Sequence, residues 1–115
     1  MTIFRWALAG AVAMILAGAA TPAFAVDTSL SSDEMAYPRE VCSEKTQHAL
    51  VREGWGDIRQ GPEWVQSGAK GPIRVYILCI YRASGTVVVI FAAGDPGTST
   101  LLDGERDRLR YRMTR

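Results

Sequence analysis

Two apolar runs separated by a short turn constrain this chain more than any other feature. Ile73-Arg-Val-Tyr-Ile-Leu-Cys-Ile-Tyr-Arg82 is rich in β-branched and aromatic residues, Ala83-Ser84-Gly85 follows as a turn, and Thr86-Val-Val-Val-Ile-Phe-Ala92 supplies a matching strand. The pattern predicts an antiparallel hairpin, stopped by Gly94-Asp95-Pro96-Gly97. By the period of two, one face of the first strand carries Ile73, Val75, Ile77, Cys79 and Tyr81, and the other carries Arg74, Tyr76, Leu78, Ile80 and Arg82. An antiparallel sheet with one wet face alternates apolar with polar residues. This hairpin is apolar on both.

Of the 115 residues, 48% are hydrophobic, and much of that content sits at the N-terminal end. Residues 1–25 contain one charge, Arg5, followed by the uncharged run Trp6 to Ala20, a break at Thr21-Pro22, and Ala23-Phe24-Ala25. This is the three-part plan of a secretory signal peptide of bacterial type, with cleavage expected before Val26. The competing reading is an uncleaved anchor, since Trp6 to Val26 is about long enough to span a bilayer. Without residues 1–25 the chain has 12 basic and 12 acidic residues, so its formal charge is about zero. The remaining length suits one domain near the lower limit for a single hydrophobic core, where a covalent staple helps. Balanced charge argues against polyanion binding over the whole surface, and no nucleic-acid partner is expected.

The two cysteines, Cys42 and Cys79, form an even set in a small exported chain and read as a structural disulfide. A redox pair usually stands in a C-x-x-C motif. A lone His48 cannot complete a four-ligand metal shell with two thiols, so no metal or other cofactor is expected.

Val26 to Ala36, rich in Ser, Asp and Thr, reads as a flexible leader. A helix follows over about Pro38 to Glu53, with Pro38 at its start, Glu40 in its first turn, Arg52 in its last, and Gly54 and Gly56 beyond. Its apolar stripe, Val41, Cys42, Ala49 and Leu50, is narrow. Asp57 to Ser67 reads as a weak or bulged first strand, and Gly68 to Pro72 as a turn. Thr98 to Arg115 fits a strand or a helix, and its strong helix formers with acids preceding arginines favour helix. The expected architecture is therefore α+β: a small two-layer α-β-β-β-α domain in which helices pack on a three-stranded antiparallel sheet and one disulfide joins helix to sheet. Residues 1–25 are the signal, 26–36 the leader and 37–115 a single domain.

Three surfaces draw functional readings. The hairpin face away from Cys42 places Tyr76, Leu78 and Ile80, with Val88 and Ile90 as candidate partners, at a possible interface with another protein or a second copy of the chain. A symmetric homodimer is the simplest form of that reading. Trp55, Asp57, Arg59 and Trp64, with Glu63 among them, are candidates for a small-ligand or enzymatic cleft, although Trp in so small a domain is also ordinary core filler. Arg106, Arg108, Arg110 and Arg112 are candidates for anion binding, diluted by Asp103, Glu105 and Asp107. His48, one turn after Glu44, has no motif-placed nucleophile to complete a catalytic site, and no catalytic residue is assigned. No G-x-G-x-x-G, P-loop or zinc spacing occurs. A protein-binding or self-associating module of the periplasm or outside the cell is the leading expectation, free of the membrane once the signal is cleaved.

Overall fold

The computed structural model describes residues 26–115; the signal assigned to residues 1–25 lies outside them. The elements run β1 (Asp27–Met35), α1 (Arg39–Arg52), β2 (Gly56–Gln60), a 3-10 turn (Pro62–Trp64), β3 (Val65–Lys70), β4 (Ile73–Arg82), β5 (Gly85–Gly94) and α2 (Ser99–Met113). The five strands form one antiparallel sheet in the order β1-β5-β4-β3-β2. The class is α+β as expected, but the sheet has five strands rather than three.

Both extra strands have a physical reason for being inconspicuous. The segment expected to be a flexible leader is β1, the edge strand beside β5. Its helix-facing positions are polar because they meet the charged flank of α2. Ser29 donates to Asp103 Oδ1 at 2.6 Å, Arg106 donates to Ser29 Oγ and to the Leu30 carbonyl, and Arg110 grips Asp33 with two bonds of 2.8 Å. The segment expected as one weak strand divides at Pro62 into β2 and β3, and Gly68 to Lys70 belong to β3, so the turn into β4 is only Gly71-Pro72.

The core lies between the sheet and the helices. Ile73, Val75, Ile77 and Cys79 of β4 and Val88, Ile90 and Ala92 of β5 face the helices, and all are buried. From α1 they meet Cys42, Ala49 and Leu50; from α2 they meet Leu102, Leu109 and Met113, a stripe at helical spacing that settles the tail as helix. Cys42 and Cys79 are bonded, with their Cα atoms 6.0 Å apart, and pin α1 to the middle of β4. Thr46, one turn beyond Cys42, is fully buried and returns its hydroxyl proton to the Cys42 carbonyl at 2.8 Å.

The Arg110 guanidinium, hydrogen-bonded to Asp33, holds that carboxyl below the ordinary Asp value of 3.8, outweighing the upward push of partial burial. A depressed folded-state pKa stabilises the fold above the unfolded value and loses that contribution as the carboxyl protonates. The stability advantage of the natural chain over Asp33→Asn, read from urea midpoints, is therefore expected in full above about pH 4 and to shrink below it. An advantage that stayed constant down to pH 2 would remove the contribution assigned to this pair.

Candidate functional site

The arginine tail does not form an open cationic patch. Arg106 pairs with Asp107 and Asp103, Arg108 with the buried Glu105, Arg110 with Asp33, and Arg112 with Glu53. Two of these partners lie on other elements, so the arginines fasten α2 to β1 and α1 as well as bracing their own helix. Glu105 also accepts from Lys70 Nζ at 2.8 Å, which ties the end of β3 to α2.

The tryptophan cleft is likewise not assembled. Trp55 is buried in the core with Lys70 Nζ 4.9 Å from its ring centre, whereas Trp64 precedes β3 at the opposite end of the β2–β3 pair. Asp57 is engaged by Arg74 and Arg59, both at 3.0 Å, and these guanidinium groups hold its carboxyl below the ordinary range. His48 is exposed and accepts a bond from Arg52 rather than facing Glu44. Among the described residues no cluster of three His, Cys, Asp or Glu is placed to hold a metal ion.

The hairpin face is different. Register sets its membership: Leu78 opposes Val89, Tyr76 opposes Phe91 and Ile80 opposes Val87. Val88 and Ile90, expected at this interface, instead pair with Cys79 and Ile77 and are buried on the helix side. Their parity was available from the turn. A two-residue loop, Ala83-Ser84, sets Arg82 opposite Gly85, and counting back in twos puts Val87, Val89 and Phe91 on the side of Tyr76 and Leu78. The three-residue turn read from the sequence, Ala83-Ser84-Gly85, shifts this count by one and puts Val88 and Ile90 there instead.

The pairings arrange that face into rows across the strands. One row is Ser67, Tyr76, Phe91 and Leu30; the next is Val65, Leu78, Val89 and Ser32; the next is Ile80, Val87 and Glu34. The Tyr76 and Phe91 rings lie 6.4 Å apart and tilted. Asp57–Arg74 marks one rim, and at the other Glu34, at the β1 end of the Ile80 row, pairs with Arg82. Both helices pack on the opposite side, and among the described residues no element covers this one: Leu30 is 60% exposed, Ile80 44% and Tyr76 37%. With strands about 4.8 Å apart and residues rising about 3.4 Å, the three rows from Tyr76 to Ile80 cover at most roughly 19 by 20 Å, or about 400 Å² in projection. That is within the range of the largest apolar patches on monomers, which are often functional.

At the β3 margin a cavity of about 530 Å³ wraps the edge of β4, lined by Val65, Leu78 and Ile80, by Cys79 and Tyr81 of the helix-facing side, and by Arg39, Glu63 and Trp64. The Arg39 guanidinium carbon lies 4.4 Å from the Trp64 ring centre and 5.7 Å from that of Tyr81, and its buried Nε has no hydrogen-bond partner. Glu63 and Trp64 hold this wall in left-handed backbone, with φ of 58° and 64°, a conformation that costs a non-glycine residue about 1–3 kcal/mol and is often found at working surfaces. Sequence reading placed Trp64 and Glu63 in a different cleft and left Arg39 unremarked.

Comparison with family models, with curated proteins and with solved structures returned no match.

Proposed function

We propose that this chain is a small exported protein, periplasmic or secreted, that works by binding protein through the uncovered face of its sheet, and that its immediate partner is a second copy of itself. The carrying observation is the apolar face built from Tyr76, Leu78, Ile80, Val87, Val89 and Phe91 on the side away from both helices. Three further features support the reading. At about 400 Å² the patch has the scale of the apolar centre of a standard interface, to which each partner contributes roughly 800 Å² in all. The exposed edges are poor templates for strand addition: Arg106 engages the Leu30 carbonyl of β1, and β2 is short, with a register shift between Gly56 and Arg59. Association through the face gives a closed pair, whereas association through a free edge would propagate. The disulfide fits an oxidising compartment, and among the described residues no helix is long and apolar enough to cross a membrane.

Sedimentation equilibrium of the exported protein, with its N-terminus fixed by mass measurement, tests this reading. A dimer is expected at micromolar concentration, and Ile80→Asp, which plants a carboxylate in the apolar rows, is expected to convert it to monomer with the fold intact. A natural chain that stays monomeric at all concentrations would overturn self-association.

A further inference from the structure

The cavity at the β3 margin holds one guanidinium and one carboxylate that do not pair with each other, beside an apolar wall. We infer that it is a binding site for a small zwitterion with an apolar side chain, a free amino acid or a short peptide. Arg39 takes the ligand's carboxylate and Glu63 its ammonium. Such a site is built by one copy of the chain and so goes beyond the self-association reading.

Seven of the ten arginines among the described residues are ion-paired, Arg52 donates to His48, and the terminal Arg115 lies over Tyr111. Arg39 alone is half-buried with its charge unanswered: it forms no ion pair among the described residues, and its buried Nε has no acceptor. A buried donor without a partner is costly, and in native structures such groups are ordinarily met by protein, water or a ligand. The setting of this one is nevertheless well defined. Its guanidinium carbon lies 4.4 Å from the Trp64 ring centre and 5.7 Å from that of Tyr81, contacts that attract the charge through the rings and hold the planar group in place. A guanidinium fixed in this way takes a planar carboxylate with little further loss of side-chain freedom.

Glu63 is the one carboxylate residue lining this cavity, and it too forms no ion pair among the described residues. Two consecutive left-handed residues, Glu63 and Trp64, thereby place an acid and an indole next to each other on the same wall. With Arg39 the lining is formally neutral, so an anion alone would face Glu63 and a cation alone would face Arg39. A ligand bearing both charges meets neither repulsion. An amino acid carries its ammonium and carboxylate on one carbon, which suits opposite charges that share a cavity without reaching each other. A short peptide spans a wider gap with the same two ends. Val65, Leu78 and Ile80 supply the rest of the lining and favour an apolar side chain on the ligand. The volume of about 530 Å³ lies within the roughly 300–1,000 Å³ of small-molecule pockets, which combine such a wall with a few placed polar groups.

Isothermal titration of the exported protein with L-leucine, L-phenylalanine and leucyl-leucine tests the site, and the preference among them separates free amino acid from peptide. At least one should bind with a dissociation constant below about 1 mM. The carboxamide and the N-acetyl form of the tightest ligand each lack one charge, and each should bind the natural chain about tenfold or more weakly. No binding tighter than about 1 mM, or an affinity unchanged by either blocking group, would overturn the site, and this comparison requires no variant to fold. The variants then assign the partners. Arg39→Gln should bind the acid and its amide within about threefold of each other, and Glu63→Gln should do so for the amine and its N-acetyl form. A variant that keeps the full preference of the natural chain would overturn the role of the residue replaced. Tyr76 lies on the uncovered face but outside the cavity, so Tyr76→Asp should lose the dimer and keep the ligand. Binding by the natural chain but not by Tyr76→Asp would overturn a site built by one copy. A natural chain that binds the zwitterion and never dimerises removes the self-association reading alone.

Discussion

Replacing Cys42 and Cys79 together by alanine is expected to lower unfolding stability by about 3–4 kcal/mol, the chain-entropy value for a loop of this length, and to produce a partly unfolded protein at 37 °C. The bond closes a separation of 37 residues that includes α1, β2 and β3, so without it the denatured chain gains freedom over nearly half of the folded region. Small domains have total stabilities of only about 5–15 kcal/mol, and a 90-residue chain lies near the low end. Both sulfurs are buried, with Cys42 and Cys79 packed beneath α1, so reductant should act slowly on the native protein and quickly once urea is present. Urea melts of the oxidised protein and the double variant give the difference directly, and intact mass should show two hydrogens fewer than the free dithiol. A double variant with the same urea midpoint would mean that α1 is held on the sheet by packing alone.

Gly85→Ala is expected to cost about 2–5 kcal/mol, because it combines backbone strain with overpacking, each worth about 1–3 kcal/mol. Gly85 opens β5 with a φ of 145°, and a Cβ there would be driven into the Met35 carbonyl oxygen and set 3.0 Å from the Ala36 Cα. Both obstacles are backbone, so no rotamer change relieves them; the end of β1 must move. Gly97→Ala is the control. Its φ is 94° but a Cβ would meet nothing within 4 Å, so it carries the strain without the clash. Thermal melts should therefore place Gly85→Ala well below Gly97→Ala. Equal melting temperatures would show that the β1–β5 junction yields without penalty. Amide exchange gives a finer reading, since the loss should concentrate in β1.

The parts of this fold that were legible in the sequence are those where residue type and environment coincide. β4 was bounded correctly at Ile73 and Arg82 because both its faces are apolar, and the first helix was bounded to within a residue because Pro38 and Gly54 punctuate it. The disulfide followed from count and compartment. β1 stayed hidden because Ser29 and Asp33 answer to Asp103, Arg106 and Arg110 across the layer, and no local pattern records a partner more than seventy residues away. The face itself was named, but Val88 and Ile90 were assigned to it in place of Val87 and Val89, an error of one residue in turn length that inverts every position of a strand. Arg39 was unreadable for a different reason: its setting is made by Trp64 and Tyr81, which lie 25 and 42 residues later in the chain and converge on it only in the fold.

The hydrogen bonds that seat β1 bear on the order in which the chain is made. β1 is first of the strands to be synthesised, yet its only strand neighbour is β5, which begins fifty residues later, and its side-chain anchors lie on α2, later still. An unpaired strand waiting that long is ordinarily a hazard for mispairing. Here the waiting segment is Asp-Thr-Ser-Leu-Ser-Ser-Asp-Glu-Met, hydrated and acidic, with little to offer a neighbouring chain. The polarity that concealed β1 as a strand is also what lets it remain harmless until α2 arrives, and closure of the sheet by β1 is then a late event that follows the synthesis of α2.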